Sequence, residues 1–314
     1  MEYTTLGRTG LRVSVMGLGC GGWSRLGQSY GNTDEQSVAV VRRALDLGVT
    51  FFDTAEAYGT EEILGRGLAG APRDQVFIST KKSTWKDGDE PLPPDEIAPA
   101  LEQSLRRLGT DYVDVYHLHG LRRAHYEHAV TKLVPELMRL RAQGKLRFIG
   151  VTEAFGSDTT HETLRRAVQD DCWDVIMVGF NLLNQSARER VLAPALRKSI
   201  GVLNMFAVRR ALTSHGLARE AIHRIRAEGF SEPGAIAEGE DLSFLVHARG
   251  GVTLADAAYR FARYEPGIHV VLSGTGSVRH LEENAASLAR PPLPPRDVAR
   301  LQRMFHGVDK LSGD

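Results

Sequence analysis

The feature that most restricts how this chain can fold is an alternation that repeats eight times. Short apolar or β-branched runs recur along the chain: "VSVMGLG" (13–19), "VTFFD" (49–53), "VFIST" (76–80), "YVDVYHLH" (112–119), "RFIGVT" (147–152), "VIMVGF" (175–180), "GVLNMF" (201–206) and "HVVLSG" (269–274). Amphipathic helical stretches separate them. Near-continuous apolar strands read as buried on both faces, as in a parallel sheet. The helix between the first two runs opens with Thr33 three residues before Gln36, a capping-box spacing, and ends at Gly48. "PPDEIAPALEQSLRRLG" carries Pro94 and acids at its start and Gly109 past its end, with Leu101, Leu105 and Leu108 on one face. Eight strand–helix units in 314 residues match a (β/α)8 TIM barrel, an architecture of about 250 residues before insertions. We therefore expect one domain over residues 1–314.

Two pieces fall outside the repeat. "YTTLGRTGLRVS" reads as an N-terminal β-hairpin with a glycine-bearing turn, placed to plug the barrel bottom. Residues 213 to 250 form a long polar loop insertion after strand seven, on the face where barrels build their sites.

Composition narrows the function classes. Lys plus Arg and Asp plus Glu each number 39, so nothing pulls the chain toward nucleic acid or an anionic membrane. The first residues lack the layout of a signal peptide, and no apolar run is long enough to span a bilayer, so a cytoplasmic location is expected. Cys20 and Cys172 make no disulfide framework, and CxxC spacing is absent, so no metal is expected. A small-molecule partner and a monomer are the remaining expectations.

"GLGCGG" (17–22) has the G-x-G-x-x-G pattern of a dinucleotide fingerprint, but the turn-rich "WSRLGQSYGN" delays the helix that a true fingerprint opens at once. Gly21 and Gly22 are read instead as shaping a loop that lets a ligand approach the backbone, with Trp23 as a wall. Asp53 ends a strand on the active face, where a helix cap is the competing reading. Tyr58 follows in the bend, Lys81 ends the next strand and His119 the one after, so four polar groups from three strand ends converge.

These residues carry a resemblance. "FFDTAEAYG", "STK", "LEQSLRRLGTDYVDVYHLH", "GKLRFIGVTE" and "LEENAASL" resemble, in order, the successive motifs of the aldo-keto reductase family, over residues 3 to 290. The resemblance implies an (α/β)8 barrel and NADPH- or NADH-dependent reduction of aldehydes and ketones. It makes Tyr58 the general acid, Lys81 the cation that lowers its pKa, Asp53 the anchor of Lys81, and His119 the group that orients the carbonyl or assists proton transfer. The pairing is chemically sensible, since a phenol with a pKa of about 10 is a poor acid near neutrality unless a cation stabilises the phenolate. Lys82 competes with Lys81, but strand alternation lets only one reach Tyr58, and the family's "TK" ending favours Lys81. His117 is expected to be a satisfied core histidine.

Cofactor contacts follow the family less closely. Thr152 and Glu153 stand where Ser-Asn is common, Glu153 being able to accept from an amide but not to donate to it. Met177 replaces a Gln, and Met205 or Phe206 replaces the aromatic that covers the nicotinamide. Gly274, Thr275 and Ser277 form a turn suited to a pyrophosphate at a helix start. Arg279 and His280 follow it, and Glu283 and Asn284 match the adenine-contacting pair. NADP-preferring relatives commonly carry Lys or Arg in the turn where this chain has Thr275 and Gly276, so Arg279, Arg209 or Arg210 is expected to take the 2′-phosphate. NADP is the expected cofactor and NAD the alternative. Trp23 and Trp85 are expected to line the substrate mouth, with Gly120 leaving a roomier floor. The expected activity is reduction of small aldehydes or ketones. The alternatives are an NAD-dependent sugar dehydrogenase using the same site and a non-catalytic nicotinamide-binding sensor barrel.

Overall fold

The computed structural model describes residues 1–314. Eight parallel strands close into a barrel in the order β3 (Met16–Gly19), β4 (Phe51–Asp53), β5 (Phe77–Ser83), β6 (Val113–Leu121), β7 (Leu146–Glu153), β8 (Val175–Gly179), β9 (Gly201–Met205) and β10 (Val270–Ser273), which pairs back with β3. Sequential neighbours pair throughout, the strand order of a (β/α)8 barrel. The local signals behave as their chemistry dictates. Gln36 N–H donates to Thr33 Oγ1 and Thr33 N–H to Gln36 Oε1, closing the capping box of the helix Asp34–Asp46. Gly109 ends the helix Ile97–Leu108 at φ 66°, which a residue with a side chain adopts only at a cost.

The first apolar run divides. Strands β1 (Tyr3–Thr5) and β2 (Arg12–Ser14) form the antiparallel hairpin, and the barrel strand starts only at Met16. The break lies at Ser14, whose hydroxyl donates to Met16 O and accepts from Thr50 N–H. Leu6, Leu11 and Val13 on the hairpin pack with Phe51, Val115, Val175, Met177, Leu203 and Val270 across the base of the barrel. Each fully buried side chain of this kind is worth about 1.5–3 kcal/mol, so the hairpin is a structural plug.

The insertion expected after the seventh barrel strand, residues 213 to 250, is present, but it is not a loop throughout. This segment contains a thirteen-residue helix, His215–Ala227, capped by Ser214. Ile222, Ile225, Ile236, Leu242 and Leu245 are buried in it. A further helix, Pro295–Met304, holds it through Arg300 to Glu240 at 2.8 Å and His247 to Asp297 at 2.8 Å. The apolar spacing of its isoleucines is what gives this otherwise polar stretch a face to bury.

Candidate active site

The site is assembled at the C-terminal ends of β4, β5 and β6. Alternation along each strand decides which side chains enter the barrel. On β5, Phe77 joins the plug cluster, so Ser79 and Lys81 share its inward face and Lys82 points out, pairing with Glu56 at 2.7 Å. On β6, Val115 faces in, and His117 and His119 follow at the same parity.

Lys81 Nζ donates to Asp53 Oδ2 at 2.7 Å and to the Thr54 carbonyl at 2.6 Å. Ser79 Oγ donates to the other oxygen of Asp53 at 2.8 Å. Both oxygens of Asp53 thus accept, as a carboxylate should, and the Lys81 side chain is 0% exposed. Burial opposes the ammonium, but Asp53 and Tyr58 outweigh it and raise the Lys81 pKa.

Tyr58 stands in a single turn, Glu56–Tyr58, just beyond β4. Lys81 Nζ lies 5.0 Å from its ring centroid, and its hydroxyl lies 3.3 Å from His119 Nε2. The hydroxyl donates to that nitrogen when the imidazole carries its proton on Nδ1. Burial, and then the Lys81 charge, push the His119 pKa down to about 3, so its ring is neutral in ordinary solution. The expected net lowering of the Tyr58 pKa does not result. Burial raises it, and the opposing pull of Lys81 is the smaller effect. The arrangement is therefore a protonated phenol between a neutral imidazole and a buried ammonium, a set able to give up a proton where negative charge develops.

His117 departs from expectation. It is fully buried, as a core residue should be, but neither ring nitrogen has a partner. Gly150 faces it across the β6–β7 pairing, where any side chain would overlap the ring. Burial and the nearby Lys81 charge hold its pKa well below the ordinary value, so it carries no charge.

The residues expected to hold a cofactor divide by how they face. Strands β3 and β10 are neighbours, so the loop with Gly21 and Gly22 and the turn with Gly274, Thr275 and Gly276 lie side by side. Gly274 carries no side chain and sits against the Gly19 carbonyl. Ser277 caps the helix Val278–Leu288, accepting from His280 N–H, and Thr275 Oγ1 accepts from Ser277 N–H. The N–H groups of Ser277 and His280 are thus taken by side-chain oxygens, and those of Val278 and Arg279, which no intrahelical carbonyl reaches, are the helix-start donors that fit a diphosphate. Asn284 donates to Ser273 Oγ at 2.9 Å, and Arg279 pairs loosely with Glu283 at 3.5 Å while facing His280. Gly21 has a second reason to lack a side chain, because a Cβ there would collide with the Tyr58 ring.

On the opposite side, Thr152 faces in, its hydroxyl accepting from Gly120 N–H at 2.7 Å. The expectation for Glu153 needs correction, since alternation turns it away from the axis. Its carboxylate is buried, accepting from His161 Nδ1–H at 2.9 Å and from Gly179 N–H at 2.7 Å. Met177 is buried in the plug cluster, and Met205 packs at its edge. Phe206 stacks on Phe155 at 6.0 Å between centroids, Phe155 stacks on His161 at 5.4 Å, and the Arg209 guanidinium lies 4.1 Å over Phe206. Arg209 is paired with Asp314, and Arg210 is exposed beside it. Trp23 is 77% exposed, and Trp85 lies under Arg122 at 4.0 Å.

Sequence reasoning missed Ser79 and the Phe155–His161 stack. Ser79 was legible as the inward neighbour two residues before Lys81. His161 carries no local signal, because its partner Glu153 is supplied by another element.

The profile described as "Aldo/keto reductase family" matches residues 17–305. L-galactose dehydrogenase of Arabidopsis thaliana is 37% identical over 158 residues, an alignment spanning 48% of this chain and 48% of that protein. Aldo-keto reductase YhdN of Bacillus subtilis is 31% identical over 304 residues, covering 90% and 87% of the two. The structure of an aldo-keto reductase from Klebsiella pneumoniae in complex with NADPH has a TM-score of 0.70 at 25% identity, with 99% and 98% covered. The holo form of aldo-keto reductase AKR11C1 from Bacillus halodurans reaches 0.74 at 19% identity over 100% of both chains, a likeness of fold. With its closed barrel, its phenol–ammonium–carboxylate cluster and a profile match over most of its length, the chain belongs to the aldo/keto reductase family, whose members are NAD(P)H-dependent oxidoreductases.

Proposed function

We propose that this chain reduces small aldehydes or ketones to alcohols, with Tyr58 as the general acid. The observation that carries the reading is the buried Lys81–Asp53 pair behind a phenol whose hydroxyl lies 3.3 Å from a neutral His119. The nicotinamide cofactor, when bound, supplies the hydride to the carbonyl carbon. The chain supplies the proton. As charge grows on the carbonyl oxygen, Tyr58 Oη releases its proton toward it, and the phenolate left behind faces the Lys81 ammonium. Asp53 and Thr54 keep that ammonium in place, and His119 Nε2 offers a hydrogen-bonding position on the other side of the hydroxyl. The backbone cradle of Gly21, Gly22, Gly274 and Thr275, with Ser277 at the helix start, would hold the diphosphate. Thr152 and Phe206 would bracket the nicotinamide, and Asn284 and Glu283 the adenine. Trp23 and Trp85 would border the substrate.

NADP is the proposed cofactor, supported by the NADPH complex of the Klebsiella pneumoniae relative. A second reading, a sugar dehydrogenase using NAD, draws support from the match to L-galactose dehydrogenase and from Gly276, which leaves no basic side chain in the turn. A monomer acting in the cytoplasm completes the proposal, and no helix is long and apolar enough to cross a membrane.

Tryptophan-fluorescence titration with NADPH and NADH, followed by an aldehyde panel and sugar oxidation assays, tests the reading. Tyr58→Phe is expected to retain cofactor binding and lose roughly 100- to 10,000-fold in kcat. Retained turnover in that variant would remove Tyr58 from the role of acid.

A further inference from the structure

The turn that carries Tyr58 is gripped by a segment outside the proton-donating cluster. Arg25 Nε donates to the Tyr58 carbonyl at 2.8 Å, and its guanidinium lies 3.0 Å from where the first side-chain carbon on Gly59 would be. The backbone at Gly21, in the same segment, passes so close under the Tyr58 ring that a Cβ there would collide with it. Ring and backbone of Tyr58 are thus held from one short stretch of chain.

That stretch is strained. Arg25 has φ 45° and Leu26 φ 58°, consecutive left-handed residues with side chains. Such a conformation persists only where the surroundings over-determine it. Here they do. Leu26 is fully buried, and its carbonyl accepts from Ser37 Oγ at 2.8 Å and from Asn32 Nδ2 at 3.3 Å. Asn32 Nδ2 also donates to Gly276 O at 2.8 Å; a side chain on Gly276 would collide with the Gly27 backbone, and one on Gly27 with the Asn32 side chain. The segment is anchored to the β10 turn at one end and reaches Tyr58 at the other.

We propose that Arg25 is a positioning residue for the general acid, setting the place of Tyr58 through a hydrogen bond to its carbonyl. The inference rests on the proposed role of Tyr58. It also explains why the chain keeps a bulky residue at φ 45°, where glycine would be unstrained. The side chain is needed for the bond, and the left-handed backbone is what aims it.

Two substitutions separate the bond from the backbone. Arg25→Gly removes the donor and relieves the strained dihedral, which offsets the greater conformational freedom that glycine gives the unfolded chain. Arg25→Gln places an amide nitrogen as many bonds from Cα as the Arg Nε, restoring the donor without the charge. The two variants and wild type would be compared for kcat, KM, cofactor Kd and the 13Cζ resonance of Tyr58, assigned with Tyr58→Phe. In Arg25→Gly the resonance is expected to shift or broaden, with kcat falling about 100-fold, the scale of an ångström-sized misplacement. KM and Kd should stay within about threefold. Arg25→Gln should return the resonance and at least about tenfold of the lost kcat.

An unchanged Tyr58 resonance and kcat in Arg25→Gly would overturn the proposal, as would an Arg25→Gln variant indistinguishable from Arg25→Gly. If wild type reduces no carbonyl but the resonance still moves and is rescued, the positioning role stands and the activity assignment falls.

Discussion

Replacing Asp53 with Asn keeps the shape of the side chain and removes its charge, which makes it a direct test of the buried pair. The amide oxygen can still face Lys81, and the NH2 group can donate to Ser79 Oγ, so no cavity opens. What remains is an ammonium, 0% exposed in the native chain, with the Thr54 carbonyl at 2.6 Å as its one undisturbed acceptor. Removing one partner of a buried ion pair costs about 3–5 kcal/mol. Lys81 recovers part of this by giving up its proton, and that escape becomes easier as pH rises.

The sign follows from linkage. In the native chain the Lys81 pKa is raised above 10.5, burial being the largest single effect but outweighed by Asp53 and Tyr58 together, so its stabilisation is complete below the unfolded pKa and lost only through the folded one. In Asp53→Asn the folded pKa drops below the unfolded value, the unfolded chain binds the extra proton, and stability rises with pH. Urea unfolding is therefore expected to show a deficit of about 3 kcal/mol or more near pH 6, smaller by about 1–2 kcal/mol near pH 9. The double variant Asp53→Asn/Lys81→Met removes the stranded charge and should recover about 2 kcal/mol of the loss. A deficit independent of pH, or a double variant no more stable than Asp53→Asn, would refute the ammonium–carboxylate assignment.

Two further predictions concern proton supply and the plug. Because burial raises the Tyr58 pKa above 10.0 while His119 stays neutral down to about 3, the phenol keeps its proton across the neutral range. The kcat for reduction should be flat between about pH 6 and 9, and oxidation of an alcohol should rise roughly tenfold per pH unit as the phenolate fraction grows. A kinetic pKa near 7 assigned to Tyr58 would contradict this. At the other end of the barrel, Leu6→Ala should cost about 2–5 kcal/mol in urea unfolding, toward the upper figure because the backbone around Gly201 packed against Leu6 leaves little freedom to collapse. The kcat of the folded fraction should be unchanged, and a lowered kcat would show that the plug reaches the site.

Glu153 illustrates how far parity alone carries. Counting in twos from Phe148, which packs against the plug, puts Gly150 and Thr152 inside and Glu153 outside. The same count separates Lys81 from Lys82 and explains the Ser79 contact. His117 shows its limit, since the parity that puts it inside the barrel says nothing of partners. Whether its nitrogens are satisfied depends on β5 and β7, which the local sequence does not describe.

The alternation of apolar runs and helices was enough by itself to determine an eightfold parallel barrel with a hairpin at its start. Period-2 and period-3.6 patterns are local properties of the chain, and closing eight such units leaves few alternatives. Convergence of Asp53, Tyr58, Lys81 and His119 was also legible, because strand ends of a barrel share one face. Only the tertiary structure decided which charge survives burial, that Tyr58 is raised rather than lowered, and that the 213 to 250 segment folds onto the helix Pro295–Met304. These outcomes depend on desolvation and on contacts between residues such as Arg25 and Tyr58, or Gly27 and Gly276, that lie far apart in the chain. A pKa shift is a property of the whole environment of a group, and no local pattern encodes it.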